Sequence, residues 1–576
     1  MVQAVKERPP TGHDPKEEMN SCPVFRKLPE KLKERAKKCL HLWSYLHDTA
    51  PVERIGIPTF VEALNRSHRD LLNPNLIYPV AADVFVHIYA DPNDSRDHYV
   101  AIEPGMGVDL SLVMEEVETR LVDLVHHLEE TSGRSEERRA LLLSSVEKVC
   151  KLGDPPKPSG KDGAIKIVAR GNKLVLSKVQ MDALRYVIVR DKQGMGPLQA
   201  LILDPNIEDI SCSGTGPLFV EHKVFGSLKT NINFDSLEGL DSFVMRLSEK
   251  IGKPVTFRDP IVDATLPDGS RINIVFGGDL SRRGSNFTIR KFMSTPMSII
   301  DLAGGGALSF EAAAYLSLMI MEGMNVFCSG ETASGKTTLL NALTVFIPPA
   351  AKIVSIEDTP ELQVPHVNWI REVVRGSTKT TGNSAVTMFD LLKAALRQRP
   401  NEIIIGEIRG EEGLIAFQAM QTGHAAMATF HAASVEKLIQ RLTGSPINVP
   451  KTYVDNLNIV VIQSAVRLPD GKTGRRVLSI NEIIGYDSSS DSFSFIETFR
   501  WDPVTDRHEF TGNMNSYLLE HKIALKRGLP SHRKREIYQE VDRRANILRR
   551  LHEQKVTDFY AVYQVLGKAY KKGLFR

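Results

Sequence analysis

The chain has 576 residues, of which 42% are hydrophobic and 25% charged. That is the balance of a globular protein of about three or four domains. The polar opening "MVQAVKERPPTGHDPKEEM" argues against a secretory signal. The apolar run "AAAYLSLMIM" is far short of the ~20 residues a membrane span needs. The five cysteines (Cys22, Cys39, Cys150, Cys212, Cys328) never form C-x-x-C, which argues against a disulfide framework or zinc ribbon and for a reducing cytoplasm. Net charge is +3, yet residues 521–576 hold 15 Lys/Arg against 5 Asp/Glu, a local excess that needs an explanation.

In chain order, residues 1–152 read as a mainly helical N-terminal domain. Within "LSLVMEEVETRLVDLVHHLEE" (110–130), Val113, Val117, Leu121, Leu124 and Leu128 recur at helical spacing. "GDPPKPSGKDG" (153–163) reads as a linker. From 164 to 293 the strand signals "AIKIVA", "GPLFVEHKVFG", "SRINIVF" and "SNFTIRKF" stand beside helical patterns and predict a small α+β domain. "STPMSIIDLAGGGALS" (294–309) reads as a hinge.

Residues 310–511 alternate strand and helix, as a parallel α/β sheet requires. "MNVFCS" is a strand, and "KTTLLNALTVFI" puts Leu339, Leu343 and Phe346 on one helical face. "KIVSIED", "EIIIGEIR" and "AMATFH" are further strands. "TMFDLLKAALRQRP" opens with the capping pair Thr387 and Asp390 and stops at Pro400. Residues 512–576 read as a basic helical region. There Ile537, Val541, Ala545 and Leu548 form one stripe, with Arg543, Arg544, Arg549 and Arg550 partly outside it.

The chemistry begins at "CSGETASGKTTLL" (328–340), where Gly330–Thr337 fits G-x-x-x-x-G-K-[ST] between a strand and a helix. Gly330, Glu331, Thr332, Ala333, Ser334, Gly335, Lys336, Thr337 and the adjoining Thr338 are therefore the candidate ATP-binding residues. Gly330 and Gly335 let successive N–H groups face phosphate oxygens. Lys336 brings charge to the β/γ-phosphates, and the Thr337 hydroxyl suits Mg²⁺.

Phosphoryl transfer also needs groups that position water and order the metal. "SIEDTPEL" supplies Glu357, Asp358 and Glu361, and "IIIGEIR" supplies Glu407. Singly each acid reads as a surface residue capping a turn. Together, at the ends of apolar strands, they read as a site. His424 and His431 in "QTGHAAMATFHA" are far from any cysteine or third ligand, and by spacing alone read as structural.

The order "GETASGKTT", "IEDTPEL", "LRQRPNEIIIGEIRG", "TGHAAMATFHA" resembles the type II/type IV secretion motor ATPase superfamily, over roughly residues 190–500. The stretches "GMGPLQALILDPNIEDI" and "PDGSRINIVF" are similar to that family's PAS-like domain. "QRLTGSPINVPKTYVDNLNIVVIQSAV" and "RRANILRRLHEQKVTDF" look most like its archaeal branch of pilus-assembly and type II secretion motors. The resemblance implies a RecA-like P-loop core after a PAS-like α+β domain. It assigns catalysis to Glu357, with Glu361 a weaker candidate, and Mg²⁺ ordering through water to Glu407. It assigns γ-phosphate sensing to His431, with His424 in support, and site-completing arginines to Arg271 and Arg290.

The same resemblance implies a cytoplasmic, membrane-peripheral homohexamer working on a polytopic inner-membrane platform protein. Pilus assembly or secretion leads, with an archaellum motor as alternative. The basic end suits anionic lipid headgroups. A nucleic-acid translocase or conjugation-type ATPase is the other alternative, disfavoured because no aromatic-basic stripe is found.

Overall fold

The computed structural model describes residues 19, 22–65, 68–69, 71–125, 135–153, 169–170, 173–292, 295–375 and 385–575. The chain divides into two compact units, Met1–Phe292 and Met293–Arg576.

The first unit is built on a ten-stranded sheet. In Ile261–Thr265, Arg271–Val275 and Asn286–Arg290 alternate residues are buried, so Ile272, Ile274, Phe287 and Ile289 face the core. Arg271, Asn273, Thr288 and Arg290 share the opposite face, as the two-residue strand period dictates.

The expected division between residues 1–152 and 164–293 is not found. Asn75–Ala81, Val84–Tyr89 and His98–Ile102 form an antiparallel meander. Its last strand then pairs in parallel with Gly226–Phe234, Lys229 opposite His98. These aromatic and β-branched runs ("NLIYPVA", "VFVHIY", "HYVAI") favour strands over the helices expected there.

Buried Asp204 ties the join. Its Oδ2 accepts from the hydroxyls of Tyr78 at 2.6 Å and Tyr99 at 2.9 Å, and its Oδ1 from the Asn206 amide at 2.8 Å. The expected helix is present as Ser111–Val125, with Val113 and Val117 buried. Its residues 126–130, the linker residues 154–163 and most of the "AIKIVA" strand lie outside the described residues.

The second unit carries a nine-stranded sheet. Its strands are β1 (Val326–Gly330), β2 (Ile353–Glu357), β3 (Trp369–Val373), β4 (Glu402–Ile405), β5 (Ala425–Phe430), β6 (Ile459–Arg467), β7 (Thr473–Asp487), β8 (Ser492–Asp502) and β9 (Arg507–Glu509). They are ordered β3-β2-β4-β5-β1-β6-β7-β8-β9. The first six run parallel, and the last three add antiparallel.

Strands β1, β2, β4 and β5 are buried throughout, which is why each reads as a near-continuous apolar run. Cys328, Ile353, Ile404 and Met427 enter the core on one face; Phe327, Val354, Ile405 and Ala428 enter that on the other. Helix Met388–Arg397 begins with the expected capping box of Thr387 and Asp390.

The division between the two units falls at Phe292/Met293, beside the expected 294–309 hinge. That segment contains helix Ile299–Gly304, capped by Ser298, whose Ile299, Ile300, Leu302 and Ala303 are buried in this unit's core. The 512–576 region does not stand as a domain of its own. Helix Ile537–Glu553 packs on helix Phe310–Met321 through Val541, Ala545 and Leu548, and Phe559, Val562, Leu566 and Phe575 join the same core.

Arg544, expected partly outside that stripe, is fully buried, because it lies three residues after Val541 and four before Leu548. Its Nε donates to Glu540 at 2.8 Å, its Nη1 to Ser317 at 3.2 Å, and its guanidinium lies 4.5 Å from the Phe575 ring.

Part of the basic excess meets local carboxylates. Arg543 pairs with Glu540, Arg549 with Glu311, and Lys526 and Arg527 with Glu322. Lys534 and Arg535 share Glu520. Breaking a buried pair strands its partner, so Arg544→Ala should cost about 3 kcal/mol of stability. A denaturant titration following the 293–576 unit measures it. Arg543→Ala, at an exposed pair, should cost well under about 1 kcal/mol.

Candidate nucleotide site

The parallel register brings four strand ends to one edge. Ile356 of β2 is level with Ile405 of β4, Ile405 with Ala428 of β5, and Ala428 with Phe327 of β1. Glu357 therefore closes β2, Gly406 and Glu407 follow β4, His431 follows β5 and Gly330 closes β1, all at the carboxyl edge. This is where an open α/β sheet presents ligand-binding groups.

The loop between β1 and helix Lys336–Leu343 is shaped by close approaches. A side chain on Gly330 would run into the carbonyl of Gln463 on β6. Gly335, the helix N-cap, has φ +95°, a left-handed angle that glycine adopts without strain. Ala333 takes φ +61° without that freedom, and its carbonyl accepts from Arg475 Nε of β7 at 2.9 Å. Lys336 Nζ donates to the Glu331 carbonyl at 2.7 Å. The Ser334 hydroxyl is buried with no protein partner, as is Gln463 Oε1 beside it. A concave loop at a helix N-terminus, with a lysine and an unsatisfied hydroxyl, fits a polyphosphate.

Charge is concentrated here. Burial lowers the Lys336 pKa, which Glu407 opposes and Arg409 reinforces. Glu407 pairs with Arg409, which also lies 3.7 Å from Asp358. His431 Nε2 is 2.9 Å from Thr332 Oγ1, and its carbonyl accepts from Arg441. Burial, then Lys336 and Arg441, hold its pKa down against the pull of Glu407, which favours a neutral imidazole near pH 7.

Glu357 is enclosed. Its Oε1 accepts the amides of Glu361 at 2.7 Å and Leu362 at 2.8 Å, and its Oε2 accepts from Arg371 Nε of β3 at 3.3 Å. Burial raises its pKa, with the two amides and Arg371 pulling the other way. The loop after it is tied down twice. Asn341, on the helix after the phosphate loop, accepts from Gln363 N at 2.8 Å and donates to the Glu361 carbonyl at 3.3 Å. On the other side, Tyr560 of helix Phe559–Lys571 donates to Gln363 Oε1 at 3.2 Å, and the Tyr563 ring lies 4.9 Å from that of His366.

Lys336, Glu407 and His431 are thus brought together, with Glu357 on the same edge, and Thr337 and Thr338 sit in the first helical turn. His424 is not among them. It precedes β5, so it stands about 20 Å along the strand from His431, bonded to Thr422 at 3.0 Å. Glu361 contributes its backbone rather than its carboxylate to Glu357. Arg271 and Arg290 belong to the first unit, opposite each other on adjacent strands. Arg271 pairs with Asp263 at 2.6 Å and Arg290 with Asp209 at 3.2 Å. Arg371, Arg409, Gln463, Asn341 and Arg475 had no sequence signal, since each acts through strand pairing or loop contact.

Residues 191–503 match the family model described as type II/IV secretion system protein. The chain belongs to this family. The matched interval contains the phosphate loop, Glu357, Glu407, His431 and both first-unit arginines.

An uncharacterized protein of Methanocaldococcus jannaschii is 43% identical over 94% of this chain and 97% of its own length. The type IV secretion system protein VirB11 of Brucella suis is 27% identical over 49% of this chain and 88% of its own. Among solved structures, the Legionella pneumophila ATPase DotB aligns at 18% identity and TM-score 0.38, covering 66% of this chain and 95% of that one.

For this secretion-family site, Lys336→Ala should weaken ATP binding by about 100-fold, the scale of removing one charged partner. Titration with a fluorescent nucleotide checks it. His424→Ala should bind like the parent.

Proposed function

We propose that the protein is a motor ATPase, hydrolysing ATP to drive assembly of a type IV-like pilus or type II-like secretion through a polytopic membrane protein. The observation that carries this reading is the convergence of Lys336, Glu357, Glu407 and His431 on one sheet edge around a phosphate-shaped loop. In a chain of this family, that is a set of groups suited to phosphoryl transfer to water.

The loop amides and Lys336 hold the triphosphate, and the Ser334 hydroxyl finds its missing partner there. Thr337 and, through water, Glu407 suit Mg²⁺, which when bound neutralises charge on the β- and γ-phosphates. Glu357 orients and polarises the attacking water. His431, linked to the loop through Thr332, senses the γ-phosphate end. Arg271 and Arg290 supply transition-state charge, worth ~10³–10⁵ in rate for an arginine finger. Their place in the other unit suits a ring in which domains close on neighbouring subunits, and a homohexamer is the proposed assembly.

No described helix is long and apolar enough to cross a membrane. The proposed place of work is the cytoplasmic face, against a membrane partner. The archaeal branch is the proposed affiliation, in keeping with the Methanocaldococcus relative. Against the nucleic-acid reading, Arg543, Arg549, Lys534 and Arg535 of the basic C-terminal region are engaged by carboxylates. The same pairing weakens direct attraction to anionic lipid.

Steady-state turnover with anionic vesicles and, separately, with single-stranded DNA tests the reading, with Glu357→Gln as the blank. Glu357→Gln should bind ATP and lose about 10³-fold in kcat, the scale expected of a positioned general base. Arg271→Ala should likewise bind ATP and not turn over. Stimulation by DNA alone would displace the motor reading, and unchanged turnover in Arg271→Ala would remove that residue from the site.

A further inference from the structure

Glu357 is engaged at both carboxylate oxygens, and the contact on Oε2 competes with its proposed role. Its side chain is 2% exposed. Oε1 takes two backbone amides from its own following loop, and Oε2 takes the guanidinium of Arg371. A carboxylate that polarises water must aim a lone pair at that water, and a cation on the same oxygen competes for it.

The direction of the pair matters as much as its existence. Arg371 lies on β3, the outermost strand among the described residues, on the side of β2 away from β4, β5 and β1. The carboxylate is therefore drawn toward the sheet's margin and away from the strand that carries the phosphate loop. Within the β2–β3 register Ser355 is opposite Arg371 and Glu357 opposite Val373, so the arginine reaches along the strand to make the contact. It lies against Trp369, 5.4 Å from that ring, whose Nε1 donates to Ser355 at 2.8 Å.

The two partners differ in freedom. Glu357 is buried and its Oε1 is fixed by the loop. Arg371 is 32% exposed on an edge strand and can swing to water without unpacking any core. The arginine is the partner able to leave.

We propose that Arg371 is a latch on Glu357: a positioning residue that holds Oε2 off the attacking water until the pair opens. The two amide bonds from Glu361 and Leu362 keep the carboxylate in place when the arginine leaves, so opening frees one oxygen rather than the whole side chain. The latch restrains basal hydrolysis and leaves nucleotide binding untouched, because the side-chain partners of Arg371 are Glu357 and Trp369 rather than groups of the phosphate loop. This inference rests on the role proposed for Glu357.

The test is ATP turnover of the full chain with Mg²⁺ in three variants. Arg371→Gln removes the charge and should raise kcat about tenfold, the worth of one charge-assisted hydrogen bond, at unchanged KM for ATP. Arg371→Lys restores a cation on the same stem and should return kcat toward the parent value, which a merely structural role would not require. Should Arg371→Gln melt early, Arg371→Leu, which keeps the packing against Trp369, serves in its place. A fall in kcat, or a change confined to KM, overturns the latch. Glu357→Gln separates the two failures. If it still turns over ATP, the role of Glu357 fails and the latch with it. If it is inactive while Arg371→Gln is no faster than the parent, the latch alone fails.

Discussion

Everything at the candidate site depends on the parallel register of β2, β4, β5 and β1. Side chains in a sheet alternate with a period of two, so a slip of one residue in any strand would send its functional group to another level and face. The burial of these four strands on both sides prevents that slip, because Ile356, Ile405, Ala428 and Phe327 are held level inside a closed core. Glu357, Glu407, His431 and Gly330 come from widely separated stretches of chain, yet their positions follow from this one alignment. The apolar runs are thus the device that aligns the polar residues beyond them.

Beyond the edge, the balance of charge is local. Lys336, Arg409 and Arg441 face Glu407 and Asp358 across a few residues. A bound polyphosphate would enter a region already rich in cations, and a neutral His431 adds no charge of its own. The C-terminal region is also rich in cations. Several of them meet Glu311, Glu322, Glu520 and Glu540, and Arg544 is buried as one member of such a match. At the loop, by contrast, Lys336 is held by a backbone carbonyl rather than by a carboxylate.

The sequence separation of the partners decided what was legible in the sequence. The phosphate loop and the acids after β2 and β4 could be read because each is a short run whose chemistry is local. The core strands could be read because burial on both faces leaves continuous apolar runs. Arg371 could not, because it reaches Glu357 only through the pairing of β3 with β2. Arg475 and Gln463 could not, because they approach the loop from more than 100 residues away. Arg544 was misplaced because its stripe was drawn on apolar residues alone, and a buried arginine breaks that pattern. The N-terminal strands were missed although their residues favour β structure, and what makes them part of the main sheet, Asp204 gripping Tyr78 and Tyr99, spans more than 100 residues. The two histidines divide in the same way: the six-residue strand Ala425–Phe430 separates them, which puts one at the site and the other at the far end of the strand.

The loop that holds Glu357 has two walls, and they come from opposite ends of the unit's sequence. Asn341 braces it from the helix behind the phosphate loop, while Tyr560 and Tyr563 brace it from the last helix. The final segment is in this sense masonry rather than trim. A chain cut before Phe559 would open a gap beside Gln363 and His366 and expose Phe346, which stacks on Phe575. The loop that carries the amides gripping Glu357 would then keep only its brace from Asn341, so the last helix is part of the wall of the candidate site.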